Sequence, residues 1–283
     1  MAIQEVPLTI GFIVSSFSAS YRDDFIDLLS VQLREKGYHL FLGVTNHNLE
    51  AEREYFQYFG AISDCIIAFS EAEYYEQISD SIPKNIPVIF LFNKPEGCPH
   101  TSILQSDYSA IYQSIISCAN HGIRKIACIC INAHLSAPKE FLRAYEDALQ
   151  IVSESQQEPI IYDVGNIADF NPGKIVADAV SKECSGILVS TPAMTSKMLD
   201  YLIFYNSEHK NKPLALIGYG SAGSTLAGQM YVDTITYPNN QIADLVVQQA
   251  IYQINHPNSC LVRDYMVKST LTMHTYNGPL QYM

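Results

Sequence analysis

The sequence of 283 residues sets 17 basic against 29 acidic residues, a formal net charge of -12, and is 48% hydrophobic and 16% charged. A chain this long and apolar buries a large core and exceeds one typical domain. Its acidity repels phosphate backbones, which argues against nucleic-acid binding by these residues, and no apolar run approaches the roughly 20 residues that span a bilayer.

The N-terminal stretch MAIQEVPLTIGFIVSS contains Glu5 and no Lys or Arg before Arg22, so it lacks the positive region of a secretory signal. A cytoplasmic location with no membrane partner is the expectation. The 7 cysteines lie mostly in apolar segments and form no C-x-x-C pair, which reads as reduced, buried thiols with no metal site.

In chain order, LTIGFIV (8–14) reads as a strand followed by the polar loop SSFSAS. Phe25, Leu29 and Leu33 then recur at helical spacing, with Ser20 as N-cap and Gly37 as stop. The alternation repeats through the strand YHLFLGV and helix LEAEREYFQYF, the strand DCIIAFS and helix AEYYEQIS, and the strand IPVIFLF after Pro83, with an extended TSILQS behind it.

From Asp107 the pattern begins again. The helix DYSAIYQSIISCANHG leads to the strand RKIACICI, the helix PKEFLRAYEDALQIV to PIIYDV, the helix PGKIVADAVSKE to GILVS, and the helix MTSKMLDYLIFYN to PLALIGY. Buried strands separated by amphipathic helices imply an α/β fold of two doubly wound, open parallel-sheet subdomains. No Pro/Gly/Ser linker lies between them, which favours a packed or multiply crossed hinge. A closing strand, helix and strand (DTITYP, NNQIADLVVQQAIYQINH, CLVRDYMVKSTL) predicts that the chain crosses back.

Gly218-Tyr219-Gly220-Ser221-Ala222-Gly223 spells the dinucleotide fingerprint G-x-G-x-x-G. That reading needs a long helix and an acid roughly 20 positions on. Here Gly228 interrupts the following segment, and the candidate acid Asp233 comes too early. The string is also no nucleophile elbow, because Tyr219 stands where G-x-S-x-G requires glycine, and neither His256 nor His274 is placed by the sequence as a triad base. The expectation is a glycine-rich loop at a strand's carboxyl end, in a chain that is not an enzyme, with no catalytic residues and no cofactor.

Taken in order, TIGFIVSSFSASYRDDFIDLLSVQLREKGYHLFLGVTNHNLEAEREYF, IPVIFLFNKP, SDYSAIYQSIISCANHGIRKIACI, LALIGYGS, DTITYPNNQIADLVVQQAI and CLVRDYMVKST resemble the effector-binding core of the LacI/GalR family of bacterial transcription regulators. The resemblance covers nearly the whole chain. It implies a periplasmic-binding-protein-like type I fold with crossings near Gln105 to Asp107, Thr236 to Pro238 and Cys260 to Arg263. The N-terminal subdomain would comprise 1–106 plus 237–260, and the C-terminal subdomain 107–236 plus 261–283.

The resemblance further implies a homodimer and a small effector bound in the cleft between the subdomains. The helix carrying Met194, Met198 and Leu202 is a candidate dimer interface, with a buried core helix as the equal alternative. Operator DNA would be reached only through a helix-turn-helix headpiece, which the printed residues do not contain. A solute-binding protein of the same fold is the alternative function; a nucleotide-dependent enzyme using the glycine loop is the remaining one.

Three positions depart from the family's sugar-gripping pattern: Phe141, Pro192 and Gly220 align where relatives carry an arginine, an aspartate and an acid. A buried hydroxyl left without a partner costs about 1–3 kcal/mol, so a sugar-like ligand other than an ordinary hexose is expected. Tyr21, Phe141 and Tyr219 are expected to make an aromatic-lined pocket beside Gly220. Polar effector-binding candidates at or near strand carboxyl ends are Ser15, Ser16, Ser70, Asn93, Asp107, Asn132, His134 and Thr191, each of which serves equally as a loop cap.

Overall fold

The computed structural model describes residues 8–15, 20–133, 135–152, 158–165, 167–220, 232–257 and 261–273, with the side chains of 20–24, 136 and 232 left aside. The elements of the first half are β1 (Leu8–Val14), α1 (Ser20–Glu35), β2 (Tyr38–Val44), α2 (Leu49–Ile62), β3 (Cys65–Ala68), β4 (Val88–Leu91) and β5 (Thr101–Ser106). The next series runs α3 (Tyr108–Asn120), β6 (Ile126–Ile131), α4 (Ser136–Val152), β7 (Ile160–Val164), α5 (Pro172–Ser181), β8 (Gly186–Val189), α6 (Pro192–Glu208), β9 (Ala215–Tyr219) and β10 (Val232–Thr236). The chain closes with α7 (Asn239–Asn255), β11 (Asp264–Lys268) and β12 (Thr270–Thr272).

Two sheets form, ordered β11-β5-β4-β3-β1-β2 and β12-β10-β9-β8-β6-β7. Pairing is parallel from β2 through β5 and from β7 through β10, and antiparallel at β10–β12. The central strands β3 (CIIA), β4 (VIFL) and β8 (GILV) are buried at every residue, as expected for parallel strands covered on both faces.

In the first unit, Phe25, Leu29 and Leu33 of α1 and Ile242 and Val246 of α7 pack with Ile10 and Phe12. Phe56 and Phe59 of α2 join Ile13, Ile66 and Phe90 in a separate cluster. This packing fixes Gly11: a Cβ there would lie 2.6 Å from the Phe59 ring. In the second unit, Ile111, Ile115 and Tyr145 pack with Cys128, Leu188 and Ile217. A second cluster joins Met194, Met198 and Leu202 to Ile187, Val189 and Leu216.

Three expectations are corrected. Residues 72–79 form no α-helix but belong to a stretch with two 3-10 turns, Tyr75–Gln77 and Ser79–Ser81. The bonds that form close at i to i+3, the Gln77 N–H donating to the Tyr74 carbonyl at 3.1 Å and the Ile78 N–H to the Tyr75 carbonyl at 3.0 Å, with Gln77 Oε1 capping the turn at the Glu73 and Tyr74 N–H (2.9 and 3.0 Å) and the Tyr75 N–H donating to the Glu96 carbonyl at 2.9 Å. A ladder of i to i+4 bonds does not propagate from there.

The third passage between units also comes later than expected. The first unit runs to Gln105, takes in Leu135–Ala137 and resumes over Pro238–Val267, and the second unit resumes at Lys268. Residues 261–267 thus go with the first unit, because β11 extends the first sheet beyond β5 and the Ser102 N–H donates to the Arg263 carbonyl at 3.0 Å. The closing strand of the sequence reading is therefore two short strands, one in each sheet.

Finally, Met194, Met198 and Leu202 are each 0% exposed inside their own unit, so they form its core and offer a partner no surface. The outward apolar side of α6 carries Phe204, 74% exposed, and Tyr201.

Candidate functional site

Apart from their end strands β11 and β12, both sheets have the order 2-1-3-4-5, which places a topological switch point between β1 and β3 in the first and between β6 and β8 in the second. Open α/β sheets bind ligands at the carboxyl ends of the strands flanking such a point. The residues found there are Ser15 after β1, Ser70 after β3, Asn132 after β6 and Thr191 after β8. All four belong to the expected site, and each edge is built differently.

At the first edge, Ser15 is buried. The Phe69 N–H continues the ladder to the Ile13 carbonyl at 2.9 Å and delivers the chain to Ser70. Ser70 Oγ donates to Glu52 Oε1 at 2.5 Å and accepts from the Ala72 N–H at 3.1 Å, while the Glu71 N–H donates to Glu52 Oε2 at 2.8 Å. Asn93, just past β4, donates its Nδ2 to the Ser70 carbonyl at 2.8 Å and the Ala72 carbonyl at 3.5 Å. One carboxylate on α2 thereby organises the 70–72 loop, and the loop organises Asn93.

Glu52 is 0% exposed, and this burial pushes its carboxyl from 4.5 up to about 7 although the Ser70 and Glu71 bonds favour the ionised form. The Glu71 carboxylate raises it further and Arg53 opposes. Glu71 itself lies 3.1 Å from His47 Nδ1. Glu52 is not among the candidates named from the sequence. Its signal was available: Glu52, Phe56 and Phe59 are the buried residues of α2, at i, i+4 and i+7 on one face.

At the second edge, Asn132 takes a left-handed backbone, φ 51°. Beside it, Asp163 of β7 accepts from the Ala133 N–H at 3.4 Å and lies 3.9 Å from Cys130 Sγ, whose thiol burial pushes up to about 12. Thr191 caps α6, its Oγ1 accepting from the Met194 N–H at 3.2 Å, and Pro192 opens that helix.

Asp107, before α3, accepts from Tyr219 Oη at 2.7 Å and from Ser269 Oγ at 2.5 Å. Tyr219 is 3% exposed and its ring lies 4.9 Å from that of Tyr237. Burial and the neighbouring Asp107 carboxylate push its phenol well above the ordinary value. Phe141, 4% exposed, packs with Tyr145 and Leu188 in the core, which corrects the expectation that its ring lines an open pocket.

The glycine fingerprint is resolved in part. A Cβ on Gly218 would lie 2.5 Å from Thr195 Cγ2, and Thr195 Oγ1 accepts from the Tyr219 N–H at 2.8 Å. Gly218 thus permits close helix–strand packing. Asp233 is fully buried and accepts from Ser114 Oγ at 2.5 Å, so it is not placed for a ribose. The Gly220 N–H donates to the Ile235 carbonyl at 3.0 Å, and its carbonyl accepts from Thr236 Oγ1 at 3.1 Å. Ser221 to Gly223, Ser16, His134, His274 and the side chain of Tyr21 lie outside the described residues.

A groove of about 690 Å³ opens elsewhere, at the carboxyl end of edge strand β2, lined by Thr45, Asn46, Asn48, Tyr55 and Tyr58 among others. Among the described residues no group of His, Cys, Asp and Glu is arranged to hold a metal ion, and no helix is long and apolar enough to cross a membrane.

No family model matches the sequence and no curated protein matches it. Solved structures do. The Cra transcriptional dual regulator from Pseudomonas putida in complex with fructose 1-phosphate superposes with a TM-score of 0.80 at 19% identity, over 94% of this chain and 98% of that one. A periplasmic binding protein/LacI transcriptional regulator from Alkaliphilus metalliredigens QYMF complexed with D-xylulofuranose gives 0.74 at 20% identity, over 93% and 97%. Transcription regulator CcpA of Lactococcus lactis gives 0.75 at 16% identity, over 94% and 98%. The chain therefore has the periplasmic-binding-protein-like type I fold found in the cores of LacI-type regulators.

Proposed function

We propose that the chain is the ligand-sensing core of a LacI-type transcription regulator and has no catalytic role. A small effector would be read in the cleft by the carboxyl edges of both sheets, and its binding would alter operator affinity through a separate DNA-binding headpiece. The observation that carries this reading is the likeness of the chain to a regulator in complex with fructose 1-phosphate, over nearly the full length of each chain. Such an effector works only if it binds one arrangement of the two units better than another.

The effector proposed is a sugar-like molecule other than an ordinary hexose, since Phe141 is packed in the core and Pro192 and Gly220 carry no charge. A cytoplasmic homodimer completes the reading, with the exposed Phe204 side of α6 contributing to the contact.

A thermal-shift screen over sugars, sugar phosphates, nucleosides and small acids tests it. A specific effector at 100 times its Kd stabilises by about 2.7 kcal/mol, and fructose 1-phosphate and D-xylulose are the first probes. If no compound in those classes shifts the melting temperature while NAD does, and Gly220→Asp abolishes the NAD shift, the regulator reading fails in favour of a nucleotide-binding enzyme.

A further inference from the structure

We infer that Glu52 is a positioning residue for the effector edge of the first sheet: its carboxyl holds the Ser70–Ala72 loop, and through it Asn93, in a geometry that changes with a single proton. The role assigned to that edge rests on the proposed function, whereas the proton-dependent contact itself does not.

The connection is short and continuous. Both carboxylate oxygens of Glu52 are engaged, one by the Ser70 hydroxyl and the other by the Glu71 N–H. Ser70 Oγ also receives the Ala72 N–H, and the carbonyls of Ser70 and Ala72 receive Asn93 Nδ2. A carboxylate accepts at both oxygens, but a carboxylic acid has one oxygen turned donor. Protonation on Oε1 makes Glu52 donate to Ser70 Oγ, so the Ser70 proton must turn away and the contact on which the loop rests reverses its polarity.

The charged groups around Glu52 come from each neighbouring segment. Glu71 follows β3 and adds negative charge; His47, in the turn before α2, pairs with Glu71; Arg53, on α2 itself, also binds Glu50 Oε2 and the Gln77 carbonyl, each at 2.7 Å. None of them neutralises the buried carboxylate directly.

Linkage fixes the direction. With its proton bound more tightly in the closed loop than in water, Glu52 favours the closed loop below the ordinary value of 4.5, and this preference is lost as pH rises to about 7. Opening that hydrates Glu52 is therefore easier at pH 8 than at pH 5.

The experiment is amide hydrogen exchange at Glu71 and Ala72, corrected for intrinsic base catalysis, together with carbon-13 titration of the Glu52 carboxyl. Protection is expected to fall roughly tenfold or more between pH 5 and 8 in the native sequence and to stay level in Glu52→Gln. Ser70→Ala, which removes a donor to the ionised form, should move the Glu52 midpoint upward. Level protection in the native sequence, or an unchanged pH response in Glu52→Gln, overturns the inference.

Fructose 1-phosphate and D-xylulose binding measured over the same pH range separates the two claims. Binding by either probe that changes through the Glu52 midpoint supports both. If the loop titrates as described and neither probe binds at any pH, the inference about Glu52 stands and the effector reading loses support.

Discussion

The carboxyl edges of the two sheets share a strand order but hold their loops with different kinds of acid. At the first, Glu52 is buried on a helix and shifted up to about 7, so its charge changes near neutrality. At the second, Asp107 is clamped by two hydroxyls, and Tyr219 is pushed up in pKa by burial, so that it stays a protonated donor throughout the same range. Topology is repeated between the units while the chemistry of the edges is not, so strand order alone does not fix what either edge binds.

Behind its edge, the second unit packs Met194, Met198 and Leu202 into an apolar cluster. Met198→Ala tests this with the largest expected effect, about 2–5 kcal/mol by denaturant unfolding, independent of protein concentration. Phe204→Ala on the same helix should change monomer stability by no more than about 0.5 kcal/mol and weaken self-association instead. Loss of stability in Met198→Ala that depended on protein concentration would return Met198 to an interface.

Glu52→Gln sharpens the contrast from the other side. Gln keeps an acceptor for Glu71 and a donor toward Ser70 but cannot ionise. The native chain loses proton-linked stability from pH 4.5 to about 7, so the variant should gain about 2–3 kcal/mol relative to it at pH 8 and little at pH 4. Asp107→Ala should cost about 1–3 kcal/mol by denaturant unfolding, because the buried Tyr219 hydroxyl loses its acceptor.

Gly220→Asp is the mildest change. A Cβ there meets Thr234 Cγ2 at 3.5 Å, an ordinary contact. Stability should move by less than about 1 kcal/mol. The variant supplies the acid that relatives are expected to carry, so hexose binding should appear or strengthen in calorimetry if the second edge reads the effector.

Most of the fold was legible because the apolar runs of β1, β3, β4, β6, β8 and β9 are separated by helices with clear periodicity. The 72–82 stretch was not, since its apolar spacing suits a helix whereas its turns close at i to i+3 and the Tyr75 N–H bonds the distant Glu96 carbonyl, a partner that leaves no local pattern. The split of CLVRDYMVKSTL into strands of different sheets was equally hidden, as both pieces are extended and only their partners differ. Ser70, Asn93, Asp107 and Tyr219 were legible as residues at or just past strand ends, but their hydrogen-bond partners were not. Glu52 escaped because an acid within a helix reads as solvated surface unless its place on the Phe56–Phe59 stripe is weighed.

If the carboxyl edges of both sheets read one effector, adding the compound that most raises the melting temperature shifts amide resonances in each unit. Changes are expected at Ser70–Ala72 and Asn93 in the first unit and at Asn132, Thr191 and Tyr219–Gly220 in the second. Changes confined to one unit, or centred on the Thr45–Tyr58 groove, would contradict that reading.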